Sequence, residues 1–131
     1  MSEQTERNID VVKKGYEAFG RGDLDAVLRL YDDNIEWTQP GGSAISGTYH
    51  GKGEIGELLR RLGAQTTMVK PLRFLADGDT VVVFSEATVG GETSQDVEVF
   101  TMRDGKALTA RTYGDTALME RVFGAKQVTA S

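Results

Sequence analysis

The sequence contains no cysteine, a single histidine and only two prolines among its 131 residues. The lack of cysteine excludes disulfide bonds, thiolate nucleophiles and cysteine-based zinc or iron–sulfur sites. One histidine excludes a metal site built from several histidines, and no phosphate-binding or dinucleotide-binding glycine motif is complete. We therefore expect no metal and no other cofactor.

An excess of positive charge and a long apolar run are also missing. The net charge is −5 and the isoelectric point is about 4.9, whereas proteins that bind nucleic acid electrostatically carry a basic surface. The longest apolar run, Val81–Phe84, is far shorter than the ~20 residues that cross a membrane. The N-terminus lacks the apolar core of a signal peptide. We expect a cytoplasmic protein with neither a nucleic-acid nor a membrane partner.

The size and the spacing of apolar residues indicate one domain, residues 1–131, that begins with three helices. The first helix covers about residues 5–19, with Ile9, Val12, Tyr16 and Phe19 on one face. The second follows the capping residue Asp23, with Leu24, Val27, Leu28 and Tyr31 on one face. The third covers about residues 53–62.

Strands dominate the rest of the chain. A short strand over 34–39 alternates, so that Ile35, Trp37 and Gln39 face one way. Longer strands are predicted over 66–76, 80–89, 94–103 and 107–113, with Asp-Gly and Gly-Gly turns between them and a last helix over 116–123. This order predicts an α+β fold with helices on one face of an antiparallel sheet. Because the strands are apolar on both faces, we expect a homodimer through the sheet.

Three sequence segments are characteristic of this order of elements: YEAFGRGDLDAVLRLYDDNIEW, GTYHGKGEI and VFTMRDGKALTARTYGDTALM. In kind, order and spacing they resemble the nuclear-transport-factor-2-like superfamily, specifically its SnoaL-like and ketosteroid-isomerase-like branch, over nearly the whole chain. The resemblance implies a cone-shaped, curved antiparallel sheet packed on the three N-terminal helices, enclosing a pocket for one small hydrophobic molecule. Related proteins include isomerases, polyketide cyclases, epoxide hydrolases, dehydratases and non-catalytic binders, so the fold does not define the chemistry.

The register of the last hairpin decides which residues face the pocket. If Arg103-Asp104-Gly105 forms a type I turn with a glycine bulge, Met102 pairs with Lys106. The inward face then consists of Asp96, Glu98, Phe100, Met102, Leu108, Ala110 and Thr112. A two-residue type I′ turn would shift the register by one residue and place Arg111 and Tyr113 opposite Glu98 and Asp96. We favour the bulged turn because it agrees with the family resemblance.

Glu98 is the main candidate for a catalytic residue. Among Phe100, Leu108 and Ala110 it would be desolvated, and its raised pKa would let it hold or move a proton near neutral pH. In the ketosteroid-isomerase-like pattern its place corresponds to an acid that stabilises an oxyanion. The alternative is that Glu98 faces solvent or pairs with Arg111 across the sheet.

Gln39 and Thr112 are departures from the family pattern. Gln39 stands where the isomerases carry an aspartate base, and because an amide cannot abstract a proton, steroid-type isomerisation by that route should be absent. The NH₂ group of Gln39 can still orient a carbonyl. Thr112 stands where the epoxide-hydrolase relatives have an aspartate, which argues against epoxide opening.

The remaining candidates are mostly aromatic. Trp37, Tyr16 and Phe19 are either pocket walls or plain core residues, and the Tyr16 hydroxyl could donate to a ligand oxygen. His50 lies beside Tyr49 in the glycine-flanked segment before the third helix. It is either a solvated loop residue or an acid or base at the pocket mouth, near Glu98 or Asp96.

Two functions remain open. The first is a cofactor-independent enzyme that isomerises, cyclises or dehydrates a carbonyl-bearing or polycyclic metabolite. In that enzyme Glu98 transfers the proton, with Asp96 or His50 as alternatives, and the ligand contacts Tyr16, Phe19, Trp37, Gln39, Tyr49, Phe100, Met102, Ala110 and Thr112. The second is a non-catalytic binding or accessory protein that uses the same pocket or the sheet face.

Overall fold

The computed structural model describes residues 2–127, and its elements follow the predicted order with one added strand. They are α1 (Glu3–Gly20), α2 (Leu24–Arg29), β1 (Tyr31–Gln39), β2 (Gly47–His50), α3 (Gly51–Gln65), β3 (Thr66–Asp77), β4 (Thr80–Val89), β5 (Glu92–Arg103), β6 (Lys106–Tyr113) and α4 (Thr116–Phe123). The α+β class and the curved sheet are confirmed. No helix among these residues is long and apolar enough to cross a membrane.

The six strands form one sheet in the order β2-β1-β6-β5-β4-β3. All neighbouring pairs are antiparallel except β1 and β6, which run parallel. The predicted antiparallel sheet is therefore confirmed at every neighbouring pair but this one. Antiparallel pairing follows from the short hairpins that join β3 to β6, whereas β1 reaches β6 through the rest of the fold and no local turn sets its direction.

The hydrophobic core lies between the inner face of this sheet and the helices. α1 packs against β3, and α3 packs against β1. Alternate residues of β4 and β5 point toward the helices, so that Val81, Val83 and Phe100 are buried. Ile55 and Leu58 of α3 meet them from the other side. The sheet and helices together enclose the space in which the functional site lies.

The boundaries differ from the prediction between α2 and α3. Tyr31, predicted on the apolar face of α2, is instead the first residue of β1, because α2 ends at Arg29 with Leu30 as its C-cap. The segment before α3, predicted as a glycine-rich loop, forms β2 and pairs with β1. Neither change has a local signal, since a four-residue strand is stabilised by its partner strand and not by its own pattern.

The β5–β6 hairpin combines parts of both predicted registers. Asp104 and Gly105 have φ of 52° and 77°, which is the two-residue type I′ geometry, and Arg103 pairs with Lys106. The predicted pairing of Met102 with Lys106 is therefore wrong. A bulge at Leu108 then shifts the register, so that further along the hairpin Glu98 pairs with Thr112. The predicted inward face is thus recovered beyond the bulge, although Ala107 rather than Leu108 is the buried residue.

The start of α4 is held close to the sheet. Asp115 is its N-cap, and the Asp115 carboxylate accepts from the Leu118 N–H at 2.9 Å. The turn between β4 and β5 approaches the far end of α4 so closely that a Cβ on Gly90 would lie 2.6 Å from the Val122 side chain. With α4 in this place, Met119 reaches the inner cavity.

Candidate functional site

A cavity of about 120 Å³ lies between the inner sheet face and the helices. Its wall is mainly apolar, with side chains such as Val12, Phe19, Leu59, Val69 and Phe100. For scale, an engineered cavity of ~150 Å³ can bind benzene, so the space suits a small ring compound. A few polar side chains interrupt this wall: Tyr16, Tyr31, Gln39, Thr66, Ser85, Asp96, Glu98 and Thr112.

Glu98 is the centre of the polar cluster. It projects from the middle of β5 and is only 8% exposed. The Tyr16 hydroxyl, from α1, donates a hydrogen bond to Glu98 Oε1. The Ser85 hydroxyl, from the neighbouring strand β4, donates to the same oxygen at 3.0 Å. Three elements distant in sequence therefore meet at one carboxylate.

Burial in this apolar cavity raises the pKa of Glu98 from its usual 4.5 to about 7. The hydrogen bonds from Tyr16 and Ser85 act in the opposite direction, and the negative charge of Asp96 adds to the increase. At neutral pH the carboxyl group is thus divided between its acid and its base form. This is the condition in which a side chain can both accept and return a proton.

The geometry leaves one oxygen of Glu98 available. Both hydrogen bonds go to Oε1, and no side chain among residues 2–127 donates to Oε2. Burial and the charge of Glu98 raise the pKa of Tyr16 well above its usual value, so Tyr16 stays protonated and remains a donor. Its ring is held edge-on by Phe74 and Phe100 at centroid distances of 6.3 and 6.4 Å.

Asp96 lies two residues before Glu98 on the same inner face and also lines the cavity. The Ser94 hydroxyl donates to Asp96 Oδ1 at 3.1 Å. Burial raises the pKa of Asp96, while the Ser94 hydroxyl and the Asp115 N–H partly offset the increase. A Cβ on Gly114 would lie 2.3 Å from Asp96 Oδ1. Asp96 is therefore engaged with the loop that begins α4.

Gln39 and Trp37 form the β1 side of the cavity, on the predicted inward parity. The Trp37 indole N–H donates to Gln39 Oε1 at 3.0 Å, which leaves the Gln39 NH₂ without a partner among residues 2–127. Both side chains line the cavity. Gln39 therefore presents a neutral hydrogen-bond donor to any molecule bound there.

The other predicted ligand-binding residues divide into two groups. Phe19, Phe100 and Thr112 line the cavity with Tyr16. Met102 and Ala110 are buried on the same inner face but lie outside the cavity wall. They support the site from the core and do not border it.

His50 and Tyr49 are not brought to the cavity. The residues that pair β2 with β1 alternate between faces, so His50 lies opposite Glu36, on the side away from Trp37, and is exposed, with Nδ1 3.7 Å from Glu36 Oε2. The Tyr49 hydroxyl donates to the Ile45 carbonyl at 2.6 Å. Arg111 pairs with Val99 on the outer face, so the alternative in which it neutralises Glu98 is not realised.

Three polar residues of the cavity were absent from the predicted site: Ser85, Tyr31 and Thr66. Ser85 is the one polar residue among the buried inward positions of β4 between Val81 and Val89, and this interruption of an apolar stripe is a signal that sequence reasoning could have used. Tyr31 offers no such signal, because its spacing also fits the helix before it. Among residues 2–127, no group of three or more His, Asp or Glu side chains is arranged to hold a metal ion.

Comparison with known proteins supports the fold. The model of the SnoaL-like domain family matches residues 12–109. Bal32a, from a soil-derived mobile gene cassette, is 26% identical, with a TM-score of 0.85 over 92% of this chain and 99% of that chain. A nuclear-transport-factor-2-like protein of unknown function from Burkholderia pseudomallei is 30% identical, with a TM-score of 0.79 over 95% and 100% of the two chains.

A third similar structure is that of TerC, co-crystallised with polyporic acid. It is 29% identical to this chain, with a TM-score of 0.79 over 91% of this chain and 99% of TerC. No curated protein matches the sequence significantly. Since the family model covers most of the chain and the structural relatives share its whole length, the protein belongs to the SnoaL-like domain family of the nuclear-transport-factor-2-like superfamily.

Proposed function

We propose that the protein is a cofactor-independent enzyme that moves a proton on a small, hydrophobic, carbonyl-bearing metabolite. The observation that carries this proposal is Glu98, a buried carboxyl group with a pKa of about 7 and with one oxygen left free toward an apolar cavity. A carboxyl group that served only the fold would be destabilising there, because burial penalises its charge.

In the proposed step, ionised Glu98 removes a proton from the carbon next to the substrate carbonyl. The electron pair of the broken C–H bond moves to the carbonyl oxygen and forms an enolate. The Gln39 NH₂ donates a hydrogen bond to this oxygen, where the charge develops. Protonated Glu98 then returns the proton. In the isomerisation of an unsaturated ketone, the proton goes to the far carbon of the conjugated system. In a dehydration, it goes to the hydroxyl on the neighbouring carbon, which leaves as water while the enolate electron pair forms the new C=C bond. In a cyclisation, the enolate carbon attacks a second carbonyl and the proton goes to the alkoxide formed there.

The division of roles follows from the side chains present. Gln39 cannot act as a base, so the proton must go to a carboxylate. Glu98 is the cavity carboxylate that accepts from two side-chain hydroxyls at one oxygen and keeps its other oxygen free. The Tyr16 and Ser85 hydroxyls orient it and limit the increase of its pKa. TerC, a relative co-crystallised with polyporic acid, supports an organic molecule as the ligand of this fold.

The test is exchange of hydrogen for deuterium at the methyl group of acetophenone, a small aromatic ketone, followed by NMR in deuterated buffer. We expect the protein to accelerate exchange and Glu98→Gln to lower the rate by roughly 10²–10⁴, the usual contribution of a positioned base. The matched control is Glu86→Gln, the same change on the outer face of the neighbouring strand, which should keep the full rate.

A second function, non-catalytic binding, is distinguished by the same measurement. If acetophenone binds and exchanges no faster than in buffer, the cavity serves affinity alone and the enzymatic proposal fails. If Glu98→Gln keeps the wild-type rate, Glu98 is not the base, and Asp96 is the other carboxylate of the cavity.

We also propose that a second copy of the chain covers the outer face of the sheet. An apolar patch, here the outer patch, consists of side chains from neighbouring strands that alternate with inward ones: Leu75, Val82, Phe84, Val97, Val99 and Tyr113. Leu75, Phe84 and Tyr113 are exposed. A contiguous apolar face of this kind is typical of an interface, and a two-fold axis through it makes the patch its own partner.

A further inference from the structure

The side chain of Tyr31 lines the cavity and is only 7% exposed, yet its hydroxyl has no hydrogen-bond partner among residues 2–127. The other buried or half-buried tyrosines are satisfied: Tyr16 donates to Glu98 and Tyr49 to the Ile45 carbonyl. The hydroxyl oxygen is not sealed in the core, since Asn8 Nδ2 is the one fully buried side-chain polar atom without a partner among residues 2–127. It is therefore open to the cavity, where a bound molecule can accept its hydrogen bond.

The position of Tyr31 is fixed by its neighbours. Asp32 Oδ1 accepts from the Asn34 N–H at 2.8 Å, and Arg103 Nη2 donates to the Asp32 carboxylate at 3.2 Å. These contacts accompany the irregularity of β1 between Tyr31 and Glu36. The Tyr31 ring lies 6.4 Å from that of Trp37, between centroids. The contacts of Asp32 fix the backbone next to Tyr31, and Trp37 packs against its ring. Together they hold the Tyr31 side chain in the cavity wall.

The chemistry of this hydroxyl is that of a donor. Burial, followed by the negative charge of Glu98, raises the pKa of Tyr31 above its usual value, so the proton is retained throughout the neutral range. The Gln39 NH₂ is a second cavity donor without a hydrogen-bond partner among residues 2–127. Its side chain is held by the Trp37 indole N–H, which donates to Gln39 Oε1. The β1 side of the cavity thus presents two hydrogen-bond donors, the Tyr31 hydroxyl and the Gln39 NH₂. The Trp37 indole contacts both residues.

We propose that Tyr31 is a ligand-binding residue that donates to a second oxygen of the substrate. The ligand class is then narrower than a simple ketone: it is a ring compound with two oxygen functions, a hydroxy-carbonyl or a dicarbonyl, one oxygen bound by Gln39 and the other by Tyr31. This inference rests on the proposed function for the identity of the first oxygen as the reacting carbonyl.

The experiment compares ligands that differ by one oxygen. Dissociation constants of acetophenone, 3-hydroxyacetophenone and 4-hydroxyacetophenone are measured by NMR titration of the whole protein and of Tyr31→Phe. We expect at least one hydroxylated ligand to bind the wild type about three- to tenfold tighter than acetophenone, the effect of one added hydrogen bond. Tyr31→Phe should remove this preference and leave acetophenone binding unchanged.

The matched control is Tyr113→Phe, the same change at an exposed tyrosine on the outer face, which should keep the preference. If Tyr31→Phe weakens all three ligands equally, its role is structural and the proposal is wrong. If the wild type does not prefer either hydroxylated ligand, or binds none of the three up to their solubility, the proposal is equally wrong. Because binding is measured without turnover, the preference can persist even where Glu98→Gln shows that deuterium exchange does not depend on Glu98.

A second measurement separates a ligand-binding hydroxyl from a structural one. With no hydrogen bond to lose, Tyr31→Phe should melt at the same temperature as the wild type or higher in the absence of ligand. A clear decrease in melting temperature would mean that the hydroxyl has a stabilising partner within the protein, which contradicts the proposal.

Discussion

At three neighbouring positions, the two faces of the sheet reverse the usual distribution of polar and apolar residues. On β4, β5 and β6, neighbouring residues point to opposite sides, so Ser85, Glu98 and Thr112 are buried on the inner face. Their chain neighbours on the outer face are Phe84, Val97 and Tyr113, of which Tyr113 is 51% exposed. The comparison indicates that neither face is explained by folding alone. This pattern supports the proposed ligand site on the inner face and the proposed dimer interface on the outer face.

The largest expected effect is the loss of the proposed dimer interface on the outer face. Val99 lies in the middle of the outer patch, between Val82 and Arg111. In the proposed dimer, Val99→Lys would bury an unpaired charge beside Arg111 and its symmetry copy. The penalty should be several kcal/mol, which weakens association at least about a thousandfold. Light scattering should change from a dimer to a particle near the 14.2 kDa of one chain.

The matched control for this variant is Thr48→Lys, which adds the same charge to an exposed position of the edge strand β2. It should remain dimeric, and circular dichroism should show that both variants are folded. A wild-type protein that is monomeric at micromolar concentration would contradict the dimer proposal outright.

The next largest effect tests the inner face through the pH dependence of the free energy of unfolding. Because folding raises the pKa of Glu98 from 4.5 to about 7, the folded state holds the proton more tightly than the unfolded state. The contribution of Glu98 to the free energy of unfolding is therefore highest below pH 4.5 and falls as pH rises through 7, by about 3 kcal/mol in total. Glu98→Gln does not titrate, so at pH 8 it should be more stable than the wild type by up to that amount.

Urea denaturation of the wild type, Glu98→Gln and the outer-face control Glu86→Gln at pH 5 and pH 8 measures this difference. Other groups titrate equally in all three proteins, so the comparison isolates Glu98. If Glu98→Gln loses as much stability between the two pH values as Glu86→Gln does, the pKa of Glu98 is not raised by folding, and its place as the proton carrier is lost.

The smallest expected effect concerns Tyr16. Its hydroxyl lowers the pKa of Glu98 by donating to the carboxylate, so Tyr16→Phe should raise that pKa while the ring still packs between Phe74 and Phe100. The pH at which the deuterium-exchange rate reaches half its maximum should move upward accordingly. An unchanged midpoint would mean that the hydrogen bond does not affect the titration, and Tyr113→Phe provides the baseline.

Much of this arrangement could be predicted from the sequence. The inward parity of Trp37 and Gln39 followed from the alternation of β1, and the inward direction of Asp96, Glu98 and Thr112 followed from the preferred hairpin. That hairpin was nevertheless wrong in its turn, because the bulge at Leu108 compensates for a two-residue turn. A bulge depends on the fit of two strands against the core, and one strand's sequence does not reveal it.

The errors in the candidate site have the same origin. His50 follows a glycine-containing segment that fits a loop at the pocket mouth equally well, until pairing of β2 with β1 turns it away from the cavity. Tyr31 has the spacing of a helix residue, until α2 ends two residues earlier and β1 begins. In both places the deciding contact is with a segment distant in the chain.

The sequence by itself determined every element except β2, the α+β class, the acidic charge and the lack of cysteine, because periodicity, turn residues and composition act over a few neighbouring positions. Only the tertiary structure decided that Tyr16, Ser85 and Glu98 meet at one oxygen, that the Tyr31 hydroxyl is left without a protein partner, and that Arg111 faces outward. These results depend on strand register and on how α1 lies against the sheet. Both are set by packing between residues that are far apart in sequence, where a shift of one position reverses which side chain faces the cavity.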